Sequence, residues 1–171
     1  MESCKCGKRA LEGLKHCKKC FLRIFEKRAR KELQRYPWFK KSEKVLIIDD
    51  GTCKTEILKE LVLPLIEVIR IPVKIGKKQL KGHRIVSSEN ADDVIQAFLG
   101  QVLKNKKWEK DELIRPLRQI TDEEINIYAE LKGFKQFKRK KENILGFVNE
   151  MEERYPETKF ALLKISAQLL N

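Results

Sequence analysis

Four cysteines stand within the first 20 residues, as Cys4-Lys5-Cys6 and Cys17-Lys18-Lys19-Cys20, separated by a ten-residue gap. Two close thiolate pairs joined by a short loop supply the four ligands that a tetrahedral zinc ion takes. Cys4 and Cys6 are one residue tighter than the usual pair, so His16 is an alternative for one of them. A zinc held by four protein ligands is structural, because no coordination position stays open for chemistry. Lys5, Lys8, Lys15, Lys18 and Lys19 surround the cluster and offset the negative charge of a zinc–tetrathiolate centre.

The second stretch with chemical content is VLIIDDGTCKTEIL, residues 45–58. It reads as an apolar strand, a polar turn and the start of an amphipathic helix. In open α/β domains this turn cradles phosphates, using backbone N–H groups and the positive end of the helix. Here it holds Asp49, Asp50, Gly51, Thr52, Cys53 and Lys54, with carboxylate where an anion would sit. Two unit charges ~4 Å apart repel by about 4 kcal/mol at an effective dielectric near 20. That is roughly a thousandfold in affinity, which Lys54 offsets in part. Cys53, at the helix start, is either a nucleophile of lowered pKa or a small buried side chain.

These groups need elements to position them. Phe21, Ile24, Phe25, Ala29, Leu33 and Tyr36 fall at three- and four-residue steps, predicting a helix over 21–36. Arg23, Lys27, Arg28, Arg30, Lys31 and Arg35 occupy the rest of its surface, and Pro37 ends it in a linker over 36–42. Residues 45–49 read as a buried strand and 55–63 as a helix ended near Pro64. Residues 67–75 are β-rich, with Pro72 marking an edge, and 84–88 form a third strand. A helix over 90–103 turns Val94, Ile95, Phe98, Leu99 and Val102 inward. Thr121 and Glu124 form a capping box for a helix running to Gly133. Two further helices, 142–155 and 158–170, flank Pro156. Strands alternating with helices predict an α/β fold, a Rossmann-like parallel sheet flanked by helices, with a small N-terminal zinc-binding module. The expected division is 1–41 for the module and its basic helix, and 42–171 for the α/β domain.

The charge is uneven. Of a net +13, residues 1–41 carry 14 Lys/Arg against 4 Asp/Glu, and the remaining 130 residues carry 24 against 21. A high Lys and Glu content also suits a thermophile, but mere solvation favours mixed signs. The asymmetry points to a polyanion, with nucleic acid the leading candidate. Lys18, Lys19, Arg23, Lys27, Arg30 and Lys31 are the expected RNA-binding residues. Lys138, Arg139 and Lys140, in a run with Phe134 and Phe137, form a second candidate, with a solvated linker as the alternative. No apolar run approaches the ~20 residues of a membrane span, and MESCKCGKRA has no apolar secretory core. No membrane partner and a cytoplasmic location are therefore expected.

Four segments, in order, carry a family resemblance: HCKKCFLRIFEKRARKEL, IVSSENADDVIQAFLGQVL, IRPLRQITDEEINIYAELKGF and FVNEMEERYPETKFALLKISAQLL. Together they resemble the cytoplasmic tRNA 2-thiolation proteins, PP-loop ATP pyrophosphatase relatives that modify the wobble uridine. The resemblance implies an adenine nucleotide alpha hydrolase-like fold and a partnership with tRNA. The family's phosphate loop, SGGxDS, falls here on residues 49–54, whose carboxylates depart from it. Glu89 stands where the family has His, while Asn90, Asp92 and Asp93 remain as a vestigial motif, or simply as acidic residues in a helix's first turn. Outside the zinc cluster there is only Cys53, too few thiolates for the iron–sulfur cluster of the active thiolases. The resemblance thus implies a non-catalytic subunit with no ATP and no iron–sulfur cluster, working beside an intact PP-loop thiolase paralogue. Two other classes compete: an active adenylyl- or sulfurtransferase using Cys53 with Asp92 and Asp93, and a stand-alone zinc-containing RNA-binding protein.

Overall fold

The computed structural model describes residues 3–37, 39–40, 42–109, 111–139 and 143–169. Its centre is β1 (Val45–Ile48), where Val45, Leu46 and Ile47 are each no more than 1% exposed. A strand apolar on both faces must be central, and β1 pairs in parallel on both sides. β2 (Val73–Gly76) and β3 (Arg84–Val86) give the order β2-β1-β3, with Val45 opposite both Val73 and Arg84. A parallel bridge from Val86 to Ile114 extends the sheet beyond β3.

Among the described residues, six helices follow from the sequence periodicity: α1 (Lys18–Leu33), α2 (Cys53–Ile69), α3 (Ala91–Leu103), α4 (Asp122–Lys132), α5 (Asn143–Arg154) and α6 (Thr158–Gln168). Side chains alternate along a strand, so Val45, Ile47 and Val86 share one face. They join Phe21, Phe25 and Ala29 of α1 in a core with α2 and α4. Phe25 stacks on Tyr128 at 4.1 Å between centroids, so α1 is anchored in the α/β body. A second core joins Ala91, Val94 and Ile95 of α3 to Leu145, Val148 and Leu163 of α5 and α6. The expected parallel α/β architecture is present, and none of the described helices is long and apolar enough to cross a membrane.

Two local expectations are corrected. α2 runs through Pro64 to Ile69, absorbing the start of the stretch expected to be β-rich. Pro64 faces solvent, whereas Leu61, Val62 and Ile66 are buried, and that burial outweighs the ~3 kcal/mol proline penalty. Arg70, at φ 54°, ends the helix before β2. Val102 is 49% exposed, because α3 packs only as far as Phe98 and Leu99. At the linker, Arg84 donates to the Pro37 carbonyl and lies 4.9 Å from the Phe39 ring.

Candidate functional site

The N-terminal cysteines converge. The Sγ atoms of Cys4, Cys6, Cys17 and Cys20 all lie within 4.8 Å of one another, and His16 is not in the group. Cys4 N–H donates to the Lys8 carbonyl and Gly7 N–H to the Cys4 carbonyl, with Gly7 at φ 81°, a turn that brings Cys4 and Cys6 together. Cys17 is the N-cap of α1, so Cys20 sits on its first turn. The backbone N–H groups of Cys6 and Cys17 hold the Cys4 thiol down to about 6, and that of Cys20 lowers Cys17. Cys20, crowded by the other sulfurs, is pushed up to about 12. A cation at the centre would relieve that crowding. The residues fit a bound metal ion.

The loop between β1 and α2 has a different content from a phosphate cradle. Asp49 Oδ1 accepts from Gly51 N–H, and Gly51 takes φ 72°. Asp50 turns inward, and its Oδ1 accepts from Thr52 N–H (2.8 Å), Thr52 Oγ1 (2.7 Å) and Thr55 Oγ1 (2.8 Å). Its Oδ2 accepts from Ser88 Oγ at 2.7 Å, with Lys54 Nζ 3.8 Å away. Burial would raise the Asp50 carboxyl, but these donors outweigh it and hold it below the usual carboxylate range. One backbone N–H, three hydroxyls and an ammonium are directed at the chain's own carboxylate. Cys53 is buried, and burial raises its thiol pKa, the opposite of an activated nucleophile.

The loop is tied to the starts of two other helices. Thr121 with Glu124 caps α4, as the sequence indicated, and Asn90, bonded reciprocally to Asp93, caps α3 in the same way. Asp93 also accepts from Lys54 Nζ at 2.7 Å and from Arg139 at 2.6 Å. Arg139 continues to Asp122 at 2.5 Å. Asp92, 2% exposed, pairs with Lys159 of α6 at 2.6 Å and accepts from Asp122 N–H at 2.6 Å. The result is a ladder, Asp50–Lys54–Asp93–Arg139–Asp122. It lies beside a cleft of about 1260 Å³ at the ends of β1 and β3, lined by Asp50, Lys54, Ser88, Asp93 and Arg139.

The aromatic–basic run after α4 folds back over this ladder. Phe137 N–H donates to Asn126 Oδ1, and Lys54 Nζ lies 5.2 Å from the Phe137 ring centroid. Arg139, expected on an RNA surface, is thus engaged internally at 21% side-chain exposure. Lys138 is exposed, and Lys140 lies outside the described residues. Sequence spacing carried no signal for an Arg139–Asp93 pair 46 residues apart. Glu89 pairs with Arg115, which also grips Asp111. Along α1, Lys18, Lys19, Arg23, Lys27, Arg30 and Lys31 are all exposed, and among the described residues only Arg30 of these lies near a carboxylate, that of Glu26 at 3.4 Å.

No protein-family model matches the sequence, and no curated protein does. Among solved structures the chain is similar to the U34-tRNA thiolase NcsA from Methanococcus maripaludis, determined with its [4Fe-4S] cluster. The TM-score is 0.71 at 18% identity, over 99% of this chain and 87% of that one. At that identity the likeness establishes the fold, and the fold is the Rossmann-like α/β architecture that the strand and helix pattern indicated.

Proposed function

We propose that this chain is a non-catalytic, RNA-binding and scaffold subunit in tRNA wobble-uridine 2-thiolation, partnering an intact PP-loop thiolase. The likeness to a U34-tRNA thiolase supports the pathway. The observation that carries the non-catalytic role is the Asp50 carboxylate, seated among the loop's donors. An entering phosphate would have to displace that carboxylate and then share the site with its charge. Cys53, buried and with its thiol pKa raised by that burial, argues against sulfur transfer. The metal is a structural zinc: four thiolates on one ion stand about 3.8 Å apart for Zn–S bonds of about 2.3 Å. Cys6 Sγ lies 3.5 Å from both Cys4 and Cys17. Thiolates on the separate irons of a [4Fe-4S] cubane stand farther apart than that.

The isolated chain is expected to show no heat of ATP binding in calorimetry and to release no pyrophosphate, while co-purifying with a PP-loop thiolase from its own cell. Millimolar or tighter ATP binding that disappears in Cys53→Ala or Asp92→Ala would return the chain to the enzymes.

The exposed cations of α1 suit tRNA phosphates, which fix position without reading bases. Replacing Arg23, Lys27, Arg30 and Lys31 together by Gln should weaken binding of every tRNA alike. The salt slope should flatten by about one unit per lost contact. Unchanged binding in a filter or anisotropy assay would remove α1 from the RNA surface.

A further inference from the structure

Cations in this protein are unevenly used. Lys54, Lys132, Lys159, Arg115 and Arg139 all lie against carboxylates. Residues 68–88 are different: they contain Arg70, Lys74, Lys77, Lys78, Lys81 and Arg84, and no Asp or Glu. Arg84 is turned to Glu43. Lys74, Lys77, Lys78 and Lys81 are exposed, and among the described residues none of these four is within ion-pair distance of a carboxylate.

The topology explains the display. β2 and β3 are parallel and flank β1, so residues 77–83 must return from the end of β2 to the start of β3 past β1. Such crossovers ordinarily take ten or more residues and a helix. Here the connection is a seven-residue loop turning at Gly82, φ 75°, and its three lysines are exposed. Lys74 is in register with Leu46, which puts its side chain on the sheet face opposite Val45 and Ile47, the face that packs with α1, α2 and α4. Pro72 and Lys74 are of the kind that protects an open strand edge, here that of β2, from pairing with another chain. Lys77, Lys78 and Lys81 lie beyond the edge strand, where that protection is not needed.

We infer that the β2 edge and the 77–83 crossover form a second RNA-backbone surface, separate from α1 and served from the other side of the sheet. The partner class rests on the reading above, that the chain works on RNA. Four unpaired ammonium groups on long stems suit phosphates as point charges and carry no base readout.

The test uses the full, metal-loaded chain and an unmodified tRNA transcript over a salt series. One variant carries Lys74, Lys77, Lys78 and Lys81→Gln. A control removes equal charge elsewhere, Lys106, Lys107, Arg154 and Lys164→Gln. The crossover variant should bind about 10- to 100-fold more weakly at low salt, with its slope reduced by about 2 to 4, while the control shifts less than about threefold. Equal losses in the two variants would reduce the surface to net charge and overturn the inference. Wild-type-like tRNA binding by the crossover variant, with the α1 variant impaired, would overturn this surface and leave the functional reading standing. Retained tRNA binding with lost thiolase co-purification would assign the surface to protein instead. No binding by the wild-type chain would overturn both.

Discussion

A Cys17→Ser variant is expected to lose its metal and to unravel residues 3–20 while the α/β body stays folded. Between residues 3 and 16 only Cys4 is buried, and the apolar Ala10, Leu11 and Leu14 are partly covered. So short a segment cannot bury enough surface to offset its chain entropy. Its ordering is therefore expected to depend on a bound metal, whose binding free energy would serve as folding free energy, on the order of 10 kcal/mol for comparable zinc modules. The damage should stop inside α1, because Phe21, Phe25 and Ala29 are held by the main core. Elemental analysis of protein purified without added metal should find one zinc per wild-type chain and none in the variant. Hydrogen exchange and limited proteolysis should show loss of protection before about Phe21 and little change beyond it. Full protection of residues 3–16 in a metal-free chain would defeat the claim.

The second large effect is expected from Asp93→Ala. Asp93 closes the α3 capping box through Asn90 N–H at 3.0 Å and pairs with both Lys54 and Arg139. Among the described residues, its removal leaves Lys54, only 8% exposed, with the Phe137 ring and no carboxylate but the more distant Asp50. Breaking one side of a buried pair costs about 3–5 kcal/mol. With Asp93 itself 18% exposed, the expected loss is about 3 kcal/mol. That is about 8 °C in Tm for a chain of this size. Urea unfolding measures it, and a loss below about 1 kcal/mol would mean that the ladder is dispensable. Acid carries a matching signature. Burial would raise the Asp93 carboxyl, but Lys54, Asn90 N–H and Arg139 hold it below its ordinary value, as the loop hydroxyls do for Asp50. A depressed folded pKa contributes stability above the unfolded value, near 3.9, and loses it as pH falls through the folded one. Wild-type stability should therefore decline as pH drops below about 4, and the decline should be shallower in Asp93→Asn.

Much of this molecule was legible in its sequence because the relevant physics is local. The cysteine spacing announced a ligand set, since close pairs at a helix start bring sulfurs together without distant help. Thr121 with Glu124, and Gly133 after them, bounded α4 because caps and left-handed glycines act within one turn. The apolar run at 45–48 marked the central strand because a strand covered on both faces has no polar side. The carboxylates of the loop were equally plain, and so was the conflict with a phosphate there. Tertiary structure decided the distant partners of the carboxylates. Asp50 took two hydroxyls from its own turn, on Thr52 and Thr55, but the third came from Ser88, and Asp93 found Lys54 and Arg139; these last three partners lie 38 to 46 residues away. Pro64 stayed inside a helix because long-range burial outweighed a local penalty. Arg139 left the surface for the same kind of reason: pairing depends on which helix starts the fold places side by side, and spacing along a chain does not encode that.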